Sequence, residues 1–169
     1  MGETGRGIMG ANELSLHLWR ERELLEMLLF KLEEQELLLA AGGSRWIHLA
    51  SREVEAVLDR MRQAGLGRAV EVAAVADEWG APESATLQEL IDHAPTDAWR
   101  EVFTEHLRAM TDLAAEISGR RDANERHLRA AVRATQEAIA ALGVPTGEYD
   151  ADGSVARGDA SPRLLDTDL

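Results

Sequence analysis

The chain has 169 residues, of which 45% are hydrophobic and only 4% aromatic, with a net charge of −13 and a sequence pI of about 4.8. A polyanion of this strength repels phosphate backbones and anionic lipid, which argues against nucleic acid and membrane partners, and the lack of cysteine removes disulfides, thiolate zinc sites and a thiol nucleophile. No apolar run reaches the ~18 residues of a membrane span, the N-terminus has no apolar signal core, and Arg6 stands where myristoylation wants Ser or Thr, so a soluble cytoplasmic protein of one domain is expected.

Residues 1–11 hold four glycines and no apolar period, and are expected to be a disordered N-terminal extension. A long helix is predicted over Asn12–Ala41. Leu14, Leu18, Glu21, Leu25, Leu28, Leu32, Gln35 and Leu39 recur at alternating spacings of three and four, the seam of a helix laid along another helix. Leu24, Leu29, Phe30, Leu37 and Leu38 widen that stripe, so more than one neighbour is needed. About 30 helical residues span about 45 Å, which predicts an elongated bundle. Glu21 and Gln35 are polar positions on the seam. Either the seam is open to water at those levels, or they are polar layers that fix register.

Gly42 and Gly43 end the first helix, and Ser44 is expected to cap a second one. Its apolar positions run from Ile47 to Trp79, with Gly65 and Gly67 in the middle as a bend or a close-contact point. The short link makes the two helices antiparallel neighbours. After Gly80, Ala81 and Pro82, the residues Thr86 and Glu89 form a capping box for a short helix over Leu87–His93. Thr96 is expected to cap a last long helix that runs to about Leu142. That helix carries Trp99, Phe103, His106, Met110, Leu113 and Ile117, turns polar over Arg120–Asn124, then resumes with Leu128, Val132, Ile139 and Leu142. The expected fold is all-α: an elongated antiparallel helical bundle of three long helices and one short one, with coiled-coil-like packing and disordered termini. The helical domain covers 12–143, and 144–169 form a flexible acidic tail rich in Gly, Asp, Ser and Pro.

Catalysis finds little support. A carboxylate-bridged metal pair in a bundle needs Glu-x-x-His, but Leu14, Arg45, Leu90, Phe103 and Asn124 precede the five histidines by three residues. There is no HExxH, phosphate loop or GxSxG. The pairs Glu13–His17 and Glu89–His93 read as surface hydrogen-bonded pairs, and His106 as a satisfied core or groove histidine. No enzyme activity, metal or other cofactor is expected.

The segment LWRERELLEMLLFKLEEQELLLAAGGSRWI over Leu18–Ile47 resembles the opening of the FlgN family, the flagellar type III export chaperones for hook-associated proteins. Arg52–Gly80 is similar to the family's second helix, Thr86–Pro95 to its linker helix, and GEYDADG at 147–153 to its tail. The resemblance implies a cytoplasmic chaperone that binds the C-terminal amphipathic segments of hook-associated, hook–filament junction proteins. It would prevent their premature assembly and deliver them to a type III export gate component. It also implies client binding by the C-terminal helical part, whose matching positions are Ile117, Leu128, Val132, Ile139 and Leu142, each either groove or bundle core. Trp99, Phe103 and Met110 are read as core. Tyr149 is the position that matches a gate-docking tail tyrosine, the alternative being a spectator aromatic. Monomer and homodimer both stay open. The alternative function is a structural coiled-coil scaffold without an export role.

Overall fold

A computed structural model of the chain describes residues 3–142, with side chains from Met9 onward apart from Ser44. There are four helices in these residues: α1 (Glu3–Ala40), α2 (Ser44–Trp79), α3 (Leu87–Asp92) and α4 (Asp97–Ala141). No strand occurs among the described residues. The chain divides into two compact units, residues 1–129 and 130–169.

In the first unit α1 and α2 form an antiparallel hairpin. Two polar contacts set its direction: Arg68 Nε donates to Glu21 Oε1 at 2.9 Å, and Gln35 Nε2 donates to Ser51 Oγ at 3.0 Å. The preceding part of α4, up to Arg129, runs parallel to α1. Ser15 Oγ meets His106 Nε2 at 3.2 Å, and Asn124 Nδ2 donates to Gln35 Oε1 at 3.0 Å. Both α1 and α2 end in a left-handed glycine. Gly42 and Gly80 each have φ 69°, and the next N–H returns to the helix: Gly43 to Leu38 O and Ala81 to Ala76 O, both at 2.8 Å. A residue with a Cβ would resist that conformation, so the glycines place both stops.

The predicted seam of α1 is the buried seam. Leu14, Leu18, Glu21, Leu25, Leu28, Leu32 and Gln35 are all buried, and Leu39 is partly so. Burial falls into two clusters. One joins Leu14 and Leu18 to Val75, to Leu90 and Ile91 of α3, and to Phe103, which lies between Trp79 and Trp99 with ring centroids at 5.5 and 5.7 Å. The other joins Leu28 and Leu32 to Val57, with Met61 and Ile117 against it. Fully burying a Leu or Phe is worth about 1.5–3 kcal/mol, so these clusters account for most of what holds α4 and α3 on the hairpin.

Three expectations about helix ends need correction or refinement. The first helix starts at Glu3 rather than at Asn12, so the expected disordered stretch 1–11 is helical from its third residue. Ala11 is fully buried in the first cluster, and a Cβ on Gly10 would lie 3.5 Å from Val75 Cγ2. The small residues that suggested a break instead let α1 approach α2 closely, and packing overrides propensity. The N-cap of α2 is Gly43, with no side-chain bond, and Ser44 is the first helical residue rather than the cap. Helix α3 stops at Asp92, with His93 as its C-cap.

The other caps form as expected. Glu89 N–H donates to Thr86 Oγ1 at 3.3 Å while Thr86 N–H donates to Glu89 Oε2 at 2.7 Å, and Trp99 N–H donates to Thr96 Oγ1 at 3.3 Å. Helix α2 runs unbroken through Gly65 and Gly67. Gly67 is a contact point, because a Cβ there would stand 3.0 Å from His17 Cε1, whereas the nearest atom to one on Gly65 is Glu21 Oε1 at 3.9 Å. The tail 144–169 lies outside the described residues.

Candidate functional site

Helix α4 of the first unit is held to α1 by polar groups as well as by apolar ones. Asn124 is 2% exposed; its amide donates to Leu32 O at 2.8 Å and to Gln35 Oε1 at 3.0 Å, while Gln35 donates onward to Ser51. One turn earlier, Arg120 reaches Glu33 at 3.1 Å and Glu36 at 2.9 Å. The polar stretch 120–124 therefore anchors α4 to α1 at this level, and the helix is exposed from Arg129 onward. It supplies a lock across three helices. Glu21 is likewise buried and paired with Arg68. Of the two readings of the polar seam positions, an open seam is excluded, because both side chains are buried and paired across helices.

Two of the five sequence-predicted contact positions lie in this unit. Ile117 is partly buried against the Leu28–Leu32–Val57 cluster, and Leu128 is partly buried. Trp99 and Met110 pack against the first cluster and Phe103 is inside it, as expected of core. His106 is buried, with its ring edge-on to Trp19 at 5.3 Å and Ser15 on Nε2. Burial holds its pKa below the usual 6.5, and the Arg22 guanidinium pushes in the same direction against the opposing pull of Glu105.

The other three positions lie in the second unit, on the helical segment that starts at Ala130. Val132, Ile139 and Leu142 are 56%, 42% and 77% exposed. Spacings of three and four, through Thr135, put them on one face of the helix. Every described residue from Arg129 onward is exposed. Among the described residues nothing packs on this stripe, so the segment gains little from packing. Tyr149 lies outside the described residues.

The two expected histidine–carboxylate pairs do not form. His93 Nδ1 lies 2.8 Å from the Glu89 backbone oxygen. The Glu89 carboxylate serves Thr86 instead, whose backbone and hydroxyl hydrogen bonds lower its pKa. The His17 ring packs at Gly67, not at Glu13. Among the described residues no group of three or more His, Asp or Glu is placed to hold a metal ion.

Residue patterning did not single out the outer face of the hairpin. Met27 and Phe30 are about half exposed, and they border a groove of about 810 Å³ with Leu24 and Ala64. Leu37, Trp46 and Leu49, also exposed, border a second one of about 560 Å³ near the hairpin turn. No residue of α4 lines either groove. Phe30 and Leu37 stood out in the sequence as surplus apolar positions; that two neighbours would still leave them open was not legible there.

A family model described as FlgN protein matches residues 9–157. No curated protein and no solved structure matches the chain.

Proposed function

The chain belongs to the FlgN family, the flagellar export chaperones, and from that premise we propose that it binds the C-terminal amphipathic segments of hook-associated proteins. It keeps them from assembling early in the cytoplasm and delivers them to the export gate, without catalysing a reaction. The observation that carries this reading is the exposed stripe of Val132, Ile139 and Leu142. An amphipathic segment that must not self-associate needs a complementary apolar stripe, and helix-on-helix docking reads such a stripe through positions three and four apart. The charge of −13 keeps a protein with that much open apolar surface soluble.

The test is co-purification of the hook-associated proteins with the chain and with its Val132→Asp/Ile139→Asp variant. Both residues are exposed, so helicity by circular dichroism should stay at the parent value while capture falls at least tenfold. Undiminished capture would remove this stripe from the binding surface. Ile117 and Leu128, partly buried, are expected to affect stability before they affect capture. Tyr149 is proposed as the gate-docking residue: Tyr149→Ala should leave capture intact and reduce export, and normal export would reject the role.

A further inference from the structure

We infer that the cargo segment is held on the second unit by apolar contact alone, without an ion pair, and that the Thr135 methyl is a fourth contact between Val132 and Ile139. This rests on the cargo reading above and gives its occupant a chemistry: one helix of about three turns with an uncharged docking face. Thr135 stands in the middle of the exposed stripe, where a polar group would ordinarily ask a partner for a hydrogen bond. Its hydroxyl already donates to Ala131 O at 3.0 Å, inside its own helix. With the donor used up there, the branched side chain adds its methyl to the stripe, and covering it strands no donor.

The placement of charge decides the rest. At about 100° per residue, Val132, Thr135, Ile139 and Leu142 fall within about 80° of one another. Gln136 borders them on one side, Ala131 and Ala138 on the other. Between Ala130 and Leu142 the charged residues are Arg133 and Glu137. They lie about 140° and 180° from the middle of the stripe, behind it, and their signs are opposite. Rim charges are what sort partners by sign in helix-on-helix docking, and this face has none. In a chain of net charge −13, the segment therefore presents a neutral seam, which an occupant matches with apolar and small uncharged side chains. From Val132 to Leu142 the stripe runs about 15 Å at spacings of three, four and three, the pattern that a single partner helix covers.

Titration of the full chain with purified hook-associated proteins tests this, with helicity of each variant checked by circular dichroism. Thr135→Val replaces the hydroxyl by a methyl of the same shape and should bind as tightly as the parent or more so. Thr135→Ser keeps the hydroxyl and drops the methyl, and should bind about fourfold more weakly. Arg133→Glu and Glu137→Arg should each stay within about twofold of the parent at low salt, where ion pairs count most. Weaker binding by Thr135→Val than by Thr135→Ser would overturn the inference, because the cargo would then be bonding to the hydroxyl. Equal binding by the two would overturn it by removing the methyl contact, and a change of about tenfold in either charge variant would do so by restoring an ion pair. All three results leave the cargo reading standing as long as Val132→Asp/Ile139→Asp abolishes capture. Undiminished capture in that double variant would remove the stripe and this inference together.

Discussion

Asn124→Ala tests whether the buried amide layer holds α4 against α1. Asn124 donates to Leu32 O and to Gln35 Oε1 at 2.8 and 3.0 Å, in a position that is 2% exposed. Two hydrogen bonds lost cost about 2 kcal/mol, and stranding the Gln35 oxygen adds about 1 kcal/mol. Leu32 O strands nothing, because a helical carbonyl keeps its ladder partner. Alanine returns about 0.7 kcal/mol of helix propensity, and removing Asn124 Oδ1, which is buried without a partner, returns about 1 kcal/mol more. The net loss is about 1 kcal/mol, or about 2–4 °C in Tm for a chain of this length. Urea unfolding followed by circular dichroism at 222 nm measures it, with an unchanged slope as the sign that the unfolded state is unaffected. Gln35→Leu/Asn124→Leu should recover to near the parent's stability, because the two buried amides leave together, including Asn124 Oδ1, which is buried without a hydrogen-bond partner. A loss below about 0.5 kcal/mol in the single variant would mean that water already occupies this level and that the layer does not fasten α4.

The two mid-helix glycines of α2 should separate in the same assay. Gly65→Ala is expected to stabilise by up to about 1 kcal/mol, since the added methyl meets only Glu21 Oε1 at 3.9 Å; Gly67→Ala should forfeit that gain, because its methyl would stand 3.0 Å from the His17 ring, and equal effects would refute the close contact. His106 makes stability depend on pH. Its folded pKa is depressed, so the unfolded chain takes up the proton first, and the contribution is complete above pH 6.5 and lost as pH falls through 6.5 toward the folded value. Between pH 7.5 and 5.5 the parent should therefore lose stability more steeply than His106→Leu, and parallel curves would show that His106 is not desolvated.

The long-range plan was legible because it is written in apolar spacing. The buried stripe from Leu14 to Gln35, the stops at Gly42 and Gly80 and the caps at Thr86 and Thr96 all follow from local rules that packing does not disturb. What escaped was decided between helices. Gly10 and Ala11 have poor and good helix propensity respectively, but only the approach of Val75 makes small residues an asset there. The stretch 120–124 is polar by composition and became a lock because Gln35, also polar, lies opposite Asn124. A polar residue at a seam position of one helix and a polar gap in another is a matching signal, but it needs the register that only the folded chain supplies. The candidate contact positions divided for the same reason. Ile117 and Val132 are indistinguishable by spacing, yet one meets the Leu28–Leu32–Val57 cluster and the other meets solvent.

The three polar rungs, Ser15 with His106, Glu21 with Arg68, and Gln35 with Asn124, have a consequence for how such a chain can drift. Leucines along the bundle can be exchanged for isoleucine or methionine one at a time, each swap being mild. The rungs are less free, because each has a buried member, His106, Glu21, or Gln35 and Asn124, that is left without its partner when the other side changes. Descendants of this sequence are therefore expected to change these residues in couples, so that a lineage without the amide at 124 lacks the one at 35 as well.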